Sequence, residues 1–212
     1  MILGFSTSGP YCGVALFDQG DVIAAQHEEL AKGQAERLMP MIEEVLQAGG
    51  ATFADLNGIG VGVGPGNFTG IRIAVSAARG LALGLEIPAV GVSVLEALAF
   101  GHDGPVLASI SAGRDRLYLQ RFGKDAARGP ELVHVDELAD WAHPKLTCIG
   151  NKEHDIAEVL GAKGAPAPFY PASAIARIAA IRYRTEPERP APLYLRAADA
   201  APARETAPTI LT

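Results

Sequence analysis

Cysteine, tryptophan, histidine and basic charge are all scarce in this chain. Its 212 residues include two cysteines, Cys12 and Cys148, and a single tryptophan, Trp141. Two cysteines so far apart make neither a metal-spaced pair nor a disulfide framework, so both are read as reduced and buried in a cytoplasmic protein. Lysine and arginine total 18 against 24 aspartates and glutamates, a net charge of −6. That excludes the basic surface of a direct RNA binder, though not a chain that sits beside an RNA-binding partner. The five histidines (27, 102, 134, 143 and 154) are scattered singly, and no metal site is expected from them. No basic-then-apolar leader precedes Met1-Ile2-Leu3, and no run of about 18 apolar residues exists, so neither export nor a membrane partner is expected. What is abundant is apolar content, 49%, with 20% charged residues. This is the balance of a globular protein with a substantial core.

Glycine is also plentiful, and its densest motif organises the chain. Gly62-Val63-Gly64-Pro65-Gly66-Asn67-Phe68-Thr69-Gly70-Ile71-Arg72-Ile73 closes an apolar strand, Ile59 to Val63, and opens an alanine-rich helix running to about Leu85. Glycines at 64, 66 and 70 permit positive φ and close backbone approach, and Pro65 stiffens the turn. Thr69 is the expected helix cap. Such a loop aims backbone N–H groups and the positive end of a helix at one point, which makes it either an anion site or a tight packing joint.

The first half reads as three strands joined by short turns, Ile2 to Phe5, Tyr11 to Phe17 and Val22 to Gln26, an antiparallel meander. Residues 34–48 switch to helical spacing, with Pro40 predicted to kink the helix or delay its start, and Gly49-Gly50 to end it. After the glycine loop and its helix come a strand, Pro88 to Val92, and a helix from Val94 to about Gly101 capped by Ser93. The break at Gly101-His102-Asp103-Gly104-Pro105 precedes a second set. It comprises strands Val106 to Ser111 and Arg116 to Phe122, a short helix Asp136 to Ala142 and a strand Leu146 to Gly150. Helix from 156 to 160 and a helix from Ser173, as its cap, to about Arg184 complete it. Strands restarting around Ser111-Ala112-Gly113-Arg114-Asp115 suggest a faint internal duplication. That fits two lobes of related fold facing a cleft, with mixed sheets flanked by helices.

Several segments together resemble the bacterial TsaB (YeaZ) family, which works in threonylcarbamoyladenosine modification of tRNA. They are Gly64-Pro65-Gly66-Asn67-Phe68-Thr69-Gly70-Ile71-Arg72, Leu81-Ala82, Ile87 to Leu95, Gly4 to Ser8 and Pro192-Leu193-Tyr194-Leu195-Arg196. The resemblance implies an α/β, actin-like ATPase (ASKHA, ribonuclease H-like) two-lobe fold. The lobes are expected over residues 1–102 and 103–198, with a tail over 199–212. It also implies partnership with the catalytic relative TsaD and the ATPase TsaE, self-pairing as a homodimer when alone, and contact with tRNA only through the complex.

The same resemblance locates what is missing. TsaD relatives carry an Asn-His-x-x-x-His arrangement after the equivalent strand, whereas this chain reads Ser93-Val94-Leu95-Glu96-Ala97-Leu98. The family commonly has Asp where this chain has Ser6 and Ser111, and a serine oxygen is a poor magnesium anchor. No catalytic residue and no metal are therefore expected, and no cofactor of its own. Ser6, Thr7, Gly64, Gly66, Asn67, Thr69 and Gly70 remain candidates for a nucleotide or anion loop, with ADP or ATP expected at the partner interface. Leu38, Ile42, Ile71, Arg72, Ala74, Val75, Ala78 and Leu81, on the two helices of the first lobe, are the expected partner contacts. The expected function is that of a non-catalytic scaffold or activator subunit; the alternative is a stand-alone ATP-dependent enzyme or peptidase of the same superfamily.

Overall fold

The structure, a computed structural model, describes residues 1–185 and 189–195; Arg196 and the expected tail lie outside them. Strand β1 (Ile2–Ser6) is buried along its whole length. Strands β2 (Tyr11–Asp18) and β3 (Asp21–Glu29) follow it as the antiparallel meander, β3 running three residues further than its apolar pattern indicated. Strands β4 (Gly58–Gly62) and β5 (Ala89–Val92) join in parallel on the other side of β1, giving the order β3-β2-β1-β4-β5. A second sheet repeats this plan. β6 (Val106–Gly113), β7 (Arg116–Phe122) and β8 (Arg128–His134) are antiparallel, and β9 (Thr147–Gly150) and β10 (Lys163–Gly164) add in parallel to β6. Its order, β10-β9-β6-β7-β8, is the first sheet again, strand for strand and sense for sense.

Two strands had no sequence signal. β8 carries Gly129 and Pro130, which read as a break; the strand lies at the sheet edge, where a missing N–H is tolerated. β10 is two residues long and too short for any periodicity.

Helices α1 (Gln34–Ala48) and α2 (Phe68–Leu85) lie on one face of the first sheet. Leu38, Met41, Ile42, Val45 and Leu46 of α1, and Ile71, Ala74, Val75 and Ala78 of α2, share one core with Leu3, Phe5, Leu16, Ile59 and Val61. Pro40 sits inside α1 without delaying its start, which is at Gln34 behind a left-handed Gly33. Arg37 ties this helix to the sheet edge, donating through Nε to Glu28 (2.7 Å) and through both terminal nitrogens to Glu44 (2.8 and 2.7 Å). The hydrogen bonds from Arg37 hold the Glu44 carboxyl below the usual carboxylate range.

The remaining helices cross over. α3 (Val94–Ala99), from the first half, packs on β6, β7 and β9; α5 (Pro171–Arg182), from the second half, packs on β1, β4 and β2. Because strand side chains alternate, α5 meets the face opposite α1 and α2, where β1 and β4 present Gly4 and Gly60. A Cβ at Gly4 would lie 2.6 Å from the Ala176 methyl, and one at Gly60 2.7 Å from that of Ala179. Glycine in the strands and alanine in the helix together allow this close approach. α5 starts one turn earlier than its pattern suggested: Tyr170 is the N-cap and Pro171 opens the helix, so Ser173 is interior. Where α3 and α5 meet, Arg182 pairs with Glu96. The last helix, α4 (Glu153–Leu160), covers the second sheet's core of Leu107, Leu117, Leu119, Leu138, Trp141 and Ile156.

Cys12 and Cys148 are both free and fully buried in β2 and β9. Burial pushes each thiol up to about 11. At pH 8 the thiolate fraction would be about one part in a thousand, on top of the steric block. We expect no reaction with a thiol-specific chromogenic disulfide at pH 8 in native buffer and two equivalents in denaturant; a rapid native reaction would contradict this burial.

Candidate functional site

The cleft between the sheets is built from equivalent loops of the two lobes. It has a volume of about 1260 Å³ and is lined by the β1–β2 turn (Ser8 to Tyr11), the glycine loop (Pro65 to Phe68), the end of β6 (Ser109 to Ala112) and the β9–α4 loop (Gly150 to Lys152). The sequence signal for the second-lobe half of this lining was the duplication itself, since the loop after β9 is the counterpart of the glycine loop after β4. His27 and Tyr170, which also line it, had no motif to announce them; Tyr194 lies in the Pro192-to-Arg196 segment that carries the family resemblance, with no site role attached to it there.

The glycine loop is knotted to the β1–β2 turn. Asn67 N–H donates to the Ser8 carbonyl (2.6 Å), and the Thr7 hydroxyl donates to the Gly70 carbonyl (2.7 Å). A Cβ at Gly66 would sit 2.2 Å from the Ser8 oxygen, and one at Gly70 only 1.8 Å from the Thr7 oxygen. Gly64 has φ +99° and its bond to Pro65 is cis. The cap of α2 is Asn67, whose Oδ1 accepts from Gly70 N–H (2.9 Å), not Thr69, which lies within the helix. Two N–H groups that could have faced an anion are thus already engaged. Replacing Asn67 by alanine should lower stability by about 1 kcal/mol, read as a shifted urea midpoint with unchanged slope; no shift would mean the cap is dispensable.

Ser6 ends β1 fully buried, its hydroxyl 2.9 Å from that of Ser8 and 3.3 Å from that of Tyr11; the Ser8 and Tyr11 hydroxyls are 3.2 Å apart. Burial pushes the Tyr11 phenol up, so this triangle stays neutral. At the equivalent end of β6, the backbone N–H of Ser111 donates to Asn151 Oδ1 (2.9 Å). Among the cleft residues the formal charges are Glu29, which meets His27 Nε2 at 3.0 Å, and Lys152. The first turn of α4 adds Glu153 and Asp155, which disfavour an anion at that helix end. Val94 and Leu98, where the family resemblance leads one to look for a histidine pair, line the cleft with hydrocarbon. Hydrated magnesium needs several hard oxygen ligands, carboxylates above all, and these residues do not fit it. Among the described residues no group of three or more His, Cys, Asp or Glu converges.

The expected contact residues need correcting. Leu38, Ile42, Ile71, Ala74, Val75 and Ala78 are buried in the first lobe's own core. The most hydrophobic stripe of each helix turns inward to the sheet, which is the normal outcome for a helix on a sheet. Leu81 is half-buried and Arg72 is exposed. The surface that α2 leaves outward is a different stripe, with exposed Ser76, Gly80, Leu83 and Gly84 and half-buried Ile73 and Ala77. Leu83 is 76% exposed, and Met39 of α1 is also exposed. By length and composition α2 is the described helix that could cross a membrane, with mean hydropathy 1.3 and 28% of it buried. Its inner face is packed on the sheet and its outer one carries Arg72 and Arg79, so the high hydropathy comes from the buried stripe together with the half-buried Ile73, Ala77, Leu81 and Ala82.

Arg72 is held at the cleft mouth. Its Nε donates to the Tyr194 hydroxyl (2.9 Å), its guanidinium lies 3.8 Å from the centre of the Phe68 ring, and Phe68 stacks on Tyr194 at 5.0 Å.

Two sheets of identical topology, exchanged crossover helices and a cleft between them define an α/β protein of the two-lobed, actin-like ATPase type. The profile of a family described as TsaD, tRNA N6-adenosine threonylcarbamoyltransferase, matches residues 20–182. The tRNA threonylcarbamoyladenosine biosynthesis protein TsaB of Bacillus subtilis is 33% identical over 182 residues, 77% of this chain and 78% of that one. TsaB of Escherichia coli is 37% identical over 150 residues, 63% of this chain and 64% of its own length. For TsaB of Buchnera aphidicola subsp. Schizaphis graminum the identity is 40% over 99 residues, 47% of each chain. The chain thus spans less than two thirds of the latter two relatives. A Pseudomonas aeruginosa crystal structure, described as an uncharacterized protein with similarity to peptidase YeaZ, superposes with a TM-score of 0.76 at 26% identity. The superposition covers 92% of this chain and 99% of that one. The chain belongs to the TsaB (YeaZ) family.

Proposed function

We propose that this protein acts in tRNA threonylcarbamoyladenosine biosynthesis as a non-catalytic scaffold or activator subunit. In this reading it pairs with TsaD, supports docking of TsaE and touches tRNA only through the complex. The observation that carries the reading is a two-lobed cleft lined by Ser111, Val94 and Leu98, with Ser6 buried at the end of β1 beneath the Ser8 to Tyr11 turn that borders it. Such a cleft has shape without the ligands for phosphoryl transfer or metal chemistry. The outward stripe of α2 supports the pairing half of the proposal, because exposed apolar area beside small residues suits close helix packing. ADP or ATP, where it takes part, would enter at the partner interface.

Threonylcarbamoyl transfer to tRNA with TsaD and TsaE present, with and without this chain, tests the proposal. Product should form only when the chain is added, and the isolated chain should not turn over Mg-ATP. Undiminished transfer without it, or turnover by it alone, would favour the stand-alone enzyme.

A further inference from the structure

Residues 189–195 return across the molecule after α5 and touch four places in order. The Pro190 carbonyl accepts from Arg79 Nε (2.8 Å), and Pro190 also lies against Gly91 of β5. Leu193 N–H donates to the Val63 carbonyl at the head of the glycine loop (2.8 Å), and its side chain packs on the first lobe's core. The Tyr194 hydroxyl accepts from Arg72, with its ring on Phe68. Leu195 then packs against the apolar cluster of Leu95, Val106, Ala108, Tyr118 and Ile149, four of them from the second sheet. The segment therefore runs antiparallel to α2 from its fourth turn to its first and ends in the other lobe. Both arginines of α2 are spent on it.

We infer that residues 189–195 form a strap that sets the opening of the cleft, seated in the first lobe at Leu193, in the second at Leu195, and pinned to α2 by Arg72 and Arg79. Leu193 and Tyr194 line the cleft mouth, and adjacent residues anchored in different lobes leave little slack, since an extended chain gains at most about 3.6 Å per residue. Separating the lobes must lift Leu195 out of its cluster or break the Leu193–Val63 hydrogen bond. The strap thereby links the outer helix α2 to the cleft. This goes beyond the proposed function and holds whatever partner α2 receives.

The test is a pair of spin labels on Ala31→Cys and Lys152→Cys, exposed cleft residues of opposite lobes. The two natural cysteines are fully buried and would not be labelled. The otherwise unaltered chain should give one narrow distance distribution. Adding Tyr194→Ala and Leu195→Ser should broaden it and move it to longer distance, with an unchanged circular dichroism spectrum; an unchanged distribution overturns the strap. Should that variant fail to fold, hydrogen exchange on the unaltered protein decides. The Leu193 amide should exchange at least a hundredfold more slowly than in an unfolded chain, and unprotected exchange there overturns the inference.

Discussion

Gly70→Ala is expected to cost about 3 kcal/mol or more, a large share of the roughly 5–15 kcal/mol that holds a domain folded. The added methyl would fall 1.8 Å from the Thr7 carbonyl oxygen. That oxygen belongs to backbone just after a fully buried strand, so rotamer change cannot relieve the clash. Thr7 in turn donates its hydroxyl to the Gly70 carbonyl. The loop and the β1–β2 turn would have to separate, losing that bond and the bond from Asn67 to Ser8. Gly80→Ala, three turns along the same helix, is the internal control. A Cβ there meets nothing within 4 Å, and alanine is the better helix former by about 1 kcal/mol. Urea titration should therefore show opposite shifts for two chemically identical substitutions. Equal shifts would refute the packing-joint account of the loop.

Arginine scanning of α2 should separate fold from association. Ala78→Arg places a long cation among the hydrocarbon side chains of the first lobe's core and should destabilise the fold by more than about 4 kcal/mol. Gly80→Arg, two residues on, points outward into open space and should leave the free protein at least as stable. If α2's outer stripe receives TsaD, Gly80→Arg should reduce co-purification at least tenfold and remove transfer activity in the reconstituted reaction. Association that survives Gly80→Arg would move the partner elsewhere on the molecule. The comparison is informative only because burial, not hydrophobicity, distinguishes the two positions.

That distinction was invisible in the sequence. Helical spacing identified α1 and α2, and it correctly grouped Leu38, Ile42, Ile71, Val75 and Ala78 on apolar stripes. It could not say whether a stripe meets a sheet of the same chain or a partner, because both demand the same side chains. The smaller outward stripe of Ser76, Gly80 and Leu83 has no periodic signature strong enough to compete. The glycine loop was legible because Gly66 and Gly70 have few other reasons to be glycine. Its cap was misassigned because Asn67 and Thr69 are both good capping residues, and only Asn67 has extended backbone ahead of the helix. The edge strand β8 was lost to its own proline. The opposing cleft wall became readable only once β6 to β9 could be laid on β1 to β4.

The crossing of α3 and α5 makes the two halves mutual hosts. A polypeptide severed near residue 103 would leave its amino-terminal piece with Gly4 and Gly60 bared on an uncovered sheet, and its carboxy-terminal piece with α5 lacking a surface to lie on. Neither piece is a portable module. The two sheets repeat one plan, yet each is covered by a helix supplied from the other half, so the repeat in topology is not a repeat of independent units.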